Sequence, residues 1–168
     1  KTLHLAALMK NKGQIIALDI YEWKLAELKR RAKRAGAHNI ETRFIDDNKV
    51  IKRLHEKADR VLIDAPCSGL GVLRRNPDTK WKLSLDSIEK VRQTQQEILQ
   101  SYPSMLKPGG QMVYATCSIL PSENELQVQK FLNSEAGKDF ELIEDKKVLA
   151  QDSGFDGFYI ARLIKKAK

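Results

Sequence analysis

The sequence predicts a doubly wound α/β fold, in which helices cover both faces of a mostly parallel sheet. Three observations predict it. Short β-branched runs alternate with stretches of helical periodicity, glycine and proline punctuate their junctions, and several apolar runs end in a carboxylate or a thiol. Open α/β sheets collect ligands at the carboxyl ends of their strands, so those terminal side chains are the first functional candidates. With 168 residues, 42% hydrophobic and 31% charged, the composition fits one compact core.

Each element follows in order. The segment from Lys1 to Gly13 is helical in composition and closes at Gly13. Gln14 to Ile20 reads as a short buried strand carrying Asp19 near its end, and the next segment puts Tyr21, Leu25, Leu28, Ala32 and Ala35 on one helical face before Gly36 stops it. Ile40 to Ile45 and Arg60 to Ala65 are further strands, separated by a polar helical stretch around Val50 to Lys57 and ending in Asp46 and Asp64. A longer helix begins near Ser84, with Leu85, Ile88, Val91, Ile98, Leu99 and Tyr102 on its apolar side. Pro108-Gly109-Gly110 predicts a turn before the strand QMVYAT, which Cys117 follows directly. Ser122 and Glu125 have capping-box spacing ahead of a helix to about Leu132. Phe140 to Ile143 and the closing DGFYIARL supply the last strands, and a basic tail follows.

Composition excludes several classes. No apolar run approaches the ~20 residues of a membrane helix, and Lys1 opens no long apolar leader, so a soluble, cytoplasmic, monomeric protein is expected. Cys67 and Cys117 are too few for a disulfide scaffold, and His4, His38 and His55 lack metal-ligand spacing, so no metal is expected. The formal charge of +8 favours nucleic acid, an anionic cofactor or an acidic protein surface without choosing among them. The densest basic run, Lys29 to Arg34, reads as a solvated helix face, whereas Arg74, Arg75, Lys80 and Lys82 crowd a loop-like segment near Cys67.

Asp19 stands where an α/β fold places a carboxylate to accept hydrogen bonds from a ribose diol, and it can equally cap the following helix. Asp46 can accept from an adenine amino group, with Asp47 adjacent as a competitor. Asp64-Ala65-Pro66-Cys67-Ser68-Gly69-Leu70-Gly71 joins a carboxylate and a thiol in one turn, while Ala115-Thr116-Cys117-Ser118 brings a second thiol from a neighbouring strand end. The flanking Asp, Ser, Gly and Pro argue against two cysteines that only fill a core.

These two segments, DAPCSGLG and ATCS, closely resemble two catalytic motifs of the S-adenosylmethionine-dependent RNA cytosine-5 methyltransferases. The resemblance extends through LDI at Asp19, the Asp46 region, RRNPD from Arg74, LKPGG from Leu106, SENE from Ser122 and DGFYIARL from Asp156. It implies a Rossmann-like class I methyltransferase fold. It further implies that Cys117 attacks C6 of cytosine, that Cys67 assists proton removal and product release, and that Asp64 hydrogen-bonds the base. Asp19, Asp46, Asp64 and Lys1 would then face the cofactor. Arg74 and Arg75 would contact phosphate or a flipped base, with Trp81 stacking.

The overall motif spacing resembles that of the bacterial ribosomal members of the family, which implies ribosomal RNA as substrate, with transfer RNA the alternative inside the family and a nucleic-acid-binding fragment without turnover a further reading. DNA is the nearest alternative substrate; the DNA enzymes use the cysteine after proline as nucleophile. The family also places a strand and a glycine loop ending PGGK ahead of its first helix, and Lys1-Thr2 falls within the end of that motif. Residues 1–168 are therefore expected to be a partial catalytic domain, truncated at the amino terminus, without its first strand and cofactor loop and with weakened cofactor binding.

Overall fold

The computed structural model describes residues 1–47 and 49–167. Internal contacts divide the chain into two compact units, Lys1–Arg53 and Leu54–Lys168, where composition predicts one core. Among the described residues no helix is long and apolar enough to cross a membrane.

The first unit contains α1 (Thr2–Leu8), β1 (Ile15–Asp19), α2 (Glu22–Arg34), β2 (Ile40–Phe44) and α3 (Lys49–Arg53). β1 and β2 pair in parallel, with Ile15 opposite Ile40 and Asp19 opposite Phe44, so both strands present their carboxyl ends at one edge. α2 makes the crossover that parallel pairing requires. It buries Leu25 and Ala32, while Tyr21 precedes it and is exposed. Its end is a Schellman turn: Ala37 N–H donates to Ala32 O, Gly36 N–H donates to Lys33 O, and Gly36 takes φ +64°. The basic run on α2 is a solvated face, as its spacing predicts. Arg30 and Arg31 both bind Glu27 and hold its carboxyl down at about 2.

The second unit contains β3 (Ala58–Asp64), α4 (Thr79–Lys82), α5 (Leu85–Ser101), β4 (Leu106–Thr116), α6 (Glu125–Leu132), β5 (Phe140–Val148), α7 (Ala150–Ser153) and β6 (Phe158–Lys165). The sheet order is β3-β4-β6-β5. Met112 and Tyr114 on β4 alternate into the core with Tyr159, Ala161 and Leu163 on β6, against Leu99 of α5 and Val128 and Phe131 of α6. Phe131 meets Phe140 edge-on at 5.2 Å.

Three expectations are corrected here. The four-stranded sheet is not mostly parallel: β3 and β4 are parallel, but β6 runs antiparallel to both β4 and β5. Only residues 149–157 connect β5 to β6, fewer than the dozen or so that a parallel crossover needs. Second, Pro108-Gly109-Gly110 lies inside β4 as a bulge rather than before it, because the register steps from Leu106 opposite Ala58 to Gln111 opposite Arg60. Gly109 takes φ +76°, and a side chain on Gly110 would meet the Leu106 side chain at 2.8 Å. Third, Ser122 and Glu125 form no capping box. Ser122 lies in a 3-10 turn over Pro121–Glu123, and Asn124 occupies the N-cap with its amide turned back to Ser118 O. By contrast, Ser84 does cap α5, exchanging hydrogen bonds with Ser87.

Candidate active site

Parallel pairing brings the carboxyl ends of β3 and β4 side by side. Asp64 stands opposite Ala115, and Ala65 N–H donates to Ala115 O at 2.9 Å. Beyond this point each strand opens into a cysteine loop. Gly71 N–H returns to Cys117 O at 2.9 Å, Gly157 N–H donates to Gly71 O at 2.7 Å, and Gly69 supplies a left-handed residue at φ +73°. The loops set Cys67 Sγ and Cys117 Sγ 3.1 Å apart, both half-buried, and Asp64 exposed at the head of its loop. The hydrogen bond with Cys117, together with burial and the charge on its neighbour, pushes the Cys67 thiol up.

Behind the thiols lies a buried polar cluster. Glu123 is fully buried; Oε1 accepts from Ser68 N–H at 2.8 Å and from Gln95 Nε2 at 3.3 Å, and Oε2 accepts from Ser68 Oγ at 2.5 Å and from Ser118 Oγ. Gln95, also fully buried, holds Pro66 O at 2.8 Å. Tyr114 donates to Glu123 O at 2.8 Å, and burial keeps its phenol protonated. Thr116 Oγ1 and the Asn124 amide tie the start of the second cysteine loop to the N-cap of α6.

In the other unit, the Asp19 carboxylate sits half-buried at the end of β1. It accepts from Tyr21 N–H at 2.9 Å in an Asx turn that leads into α2, whose N-cap is Tyr21, and Lys24 Nζ lies 3.8 Å away. Asp47 is taken up by the start of α3, accepting from Lys49 N–H at 2.7 Å. The neighbouring Asp46 is exposed and accepts from Asp47 N–H at 2.8 Å. Two carboxylates at the carboxyl edge of one parallel pair match the chemistry of a diol and an amino donor, which fits an adenosine-containing group. Lys1 is exposed at the N-cap of α1.

Of the residues singled out in the sequence, the structure brings Asp64, Cys67 and Cys117 together, and it sets Asp19 and Asp46 at one edge of a separate unit. Arg74 donates to Gly154 O at 3.1 Å, and Arg75 pairs with Asp156 at 2.7 Å, so both tether the loop after Gly71 to the segment before β6. Trp81 is 80% exposed, with Lys80 Nζ 4.8 Å from its ring centroid. Sequence reasoning missed Glu123, Gln95 and the Gly71–Gly157 contact. The available signal was the Cys-Ser dipeptide, present twice, whose two serines reach one carboxylate.

Residues 1–164 match the family model described as 16S rRNA methyltransferase RsmB/F. The chain is 33% identical over 182 residues to a "Probable ribosomal RNA small subunit methyltransferase B" of Bacillus subtilis, covering 99% of this chain and 41% of that protein. It is 39% identical over 175 residues to "Ribosomal RNA small subunit methyltransferase B" of Escherichia coli, covering 99% of this chain and 40% of that protein. The chain thus spans well under half the length of these relatives. Among solved structures it is similar to NSun6 from Pyrococcus horikoshii with SFG (TM-score 0.86, 30% identity, 99% of this chain and 45% of that one). A methyltransferase homologue from the same organism superposes with TM-score 0.81 at 29% identity, covering 96% of this chain and 56% of that one.

Proposed function

The chain belongs to the 16S rRNA methyltransferase RsmB/F family, and from that premise we propose that it carries the thiol pair of an S-adenosylmethionine-dependent RNA cytosine-5 methyltransferase acting on ribosomal RNA. The observation that carries the proposal is the 3.1 Å approach of Cys67 and Cys117 beside Asp64.

The C5 atom of cytosine is a poor nucleophile until a thiolate adds at C6 and turns the ring into an enamine. Cys117 provides that thiolate. Asp64, at the end of β3, hydrogen-bonds the base edge and shares a proton with N3, so negative charge does not build up on the ring during attack. Cys67, raised by Cys117 and by burial, keeps its proton during attack; bonding of the Cys117 sulfur to C6 lifts the first of these, and Cys67 then helps remove the C5 proton. Loss of that proton restores the C5–C6 double bond and expels Cys117. S-adenosylmethionine, when bound, supplies an electrophilic methyl group to C5. Asp19 and Asp46 would hold its ribose and adenine with Lys1 nearby in the same unit, and Arg74, Arg75 and Trp81 would contact the RNA strand.

Incubation of variants with ribosomal RNA and cofactor, followed by denaturing electrophoresis, tests the thiol roles. Cys67→Ala is expected to accumulate a covalent protein–RNA adduct and Cys117→Ala to form none. The reverse result would assign the nucleophile to Cys67. Nucleoside analysis after methyl transfer to ribosomal and transfer RNA then identifies the substrate, and product on transfer RNA alone would overturn the ribosomal assignment.

A further inference from the structure

We propose that Glu123 is a positioning residue for the thiol pair: its one buried carboxylate straps both cysteine loops together and sets the Cys67–Cys117 separation. The inference rests on the thiol roles above and adds a residue to them.

Three observations carry it. Glu123 is fully buried, yet among the described residues its side-chain partners are hydroxyl and amide groups and none is a cation. A carboxylate taken from water without a counter-charge is costly unless several donors converge on it, and here four do. Those donors are not distributed at random. Ser68 follows Cys67 and Ser118 follows Cys117, so the two serines that meet at Oε2 are the immediate neighbours of the two thiols. Finally, the chain that carries Glu123 is itself anchored, through Tyr114 to Glu123 O and through Asn124 to Thr116 and Ser118. The strap therefore has a fixed base in β4 and one arm to each loop.

Reach is the property that matters. Replacement by Gln keeps the length: its oxygen can take the Ser68 N–H and Gln95, while its amide donates to serine hydroxyls that rotate to accept. Asp is one methylene shorter and cannot span both loops, and Ala spans neither. A shift of about 1 Å in a reacting group costs about a hundredfold in rate.

The test compares Glu123→Gln, Glu123→Asp and Glu123→Ala with wild type in two assays. The first measures closure of the Cys67–Cys117 disulfide by diamide, in which two thiols each lose a hydrogen, one S–S bond forms and the diazene N=N is reduced to the hydrazine. Alkylation of each thiol by iodoacetamide provides the reference rate. The second measures kcat and KM for methyl transfer. The expected result is a loss of about a hundredfold in kcat for Ala and Asp with KM little changed, substantial rescue by Gln, and disulfide closure ranked in the same order. Cooperative thermal unfolding confirms that each variant folds. Should Glu123→Ala fail to fold, Ser68→Ala and Ser118→Ala decide, each removing one arm. Closure and kcat unchanged in folded Ala, or in both serine variants, overturn the strap, as does loss of cooperative folding in every variant. A wild-type protein without methyl transfer would sink the methyltransferase reading alone, since the disulfide assay still judges the strap.

Discussion

Gly71 and Gly157 lie backbone to backbone: Gly157 N–H donates to Gly71 O at 2.7 Å, and a methyl group on Gly71 would stand 2.2 Å from Gly157 O and 2.7 Å from Cys117 O. Neither neighbour is a side chain that can swing away. Gly71→Ala is therefore expected to force backbone apart next to Cys117 and to destabilise the protein by about 1–3 kcal/mol, the usual range for overpacking. Urea unfolding measures the stability, and an unchanged midpoint would contradict the close approach.

The thiol pair predicts an unusual pH response. Cys67 is raised by the Cys117 sulfur and by burial, so it stays protonated as pH passes through the ordinary cysteine range near ~8.5. Alkylation of the native protein at about pH 9 should accordingly spare Cys67, and Cys117→Ser should speed its modification by removing the main cause of the shift. The stability term has a definite sign. A thiol whose folded pKa exceeds its unfolded one contributes stability that is fully present below the unfolded value and is lost as pH rises toward the folded one, so the melting temperature should fall in alkaline buffer. Peptide mapping after alkylation and melts across pH check both statements.

RNA affinity should depend on Arg74 and Arg75 in a salt-sensitive way. Each lost phosphate contact on a single strand lowers the slope of log affinity against log salt by about 0.7. Arg75→Ala also breaks the exposed pair with Asp156, an interaction worth about 0–1 kcal/mol, so stability should barely move. Titrations of RNA binding at several salt concentrations would show an unchanged slope if both guanidinium groups only tether the loop.

Asp19→Ala removes both the α2 entry bond to Tyr21 N–H and the acceptor proposed for ribose. Asp19→Asn keeps an oxygen for the turn but replaces the anionic acceptor. Isothermal titration with S-adenosylmethionine is expected to show weaker binding for both variants, with loss of the Asx turn for Ala alone. Equal cofactor affinity in wild type and Asn would limit Asp19 to the turn.

The sequence was most legible where chemistry is local. A cysteine directly after a strand, flanked by Gly, Pro and Ser, announces a loop site, and both thiols lie where that pattern puts them. Similarly, Ser84 caps α5 because everything the cap needs lies within three residues. Glu123 was illegible for the opposite reason: its partners Ser68 and Gln95 are distant in sequence, and the nearby Ser122–Glu125 spacing offered a plausible local alternative. The Pro-Gly-Gly segment misleads in the same way, since a bulge and a turn use the same residues and only the partner strand tells them apart. Strand direction was out of reach, because strands read as Phe140 to Ile143 and from Asp156 leave a connection long enough for a crossover, and only the extension of β5 to Val148 shortens it.

The insertion of β6 between β4 and β5 also sets an order of events during synthesis. When residues 106–116 emerge, β4 can pair only with β3, and β5 follows with no neighbour in the sheet until residues 158–165 arrive. Pairing over such separations is slow, and the waiting edges are open to other chains. Cys117 thus spends the interval in the loop after a half-paired strand, before Gly157 exists to close that loop. A ribosome stalled before Gly157 would carry a nascent chain whose two sulfurs are made but whose cysteine loops lack their closing backbone contact.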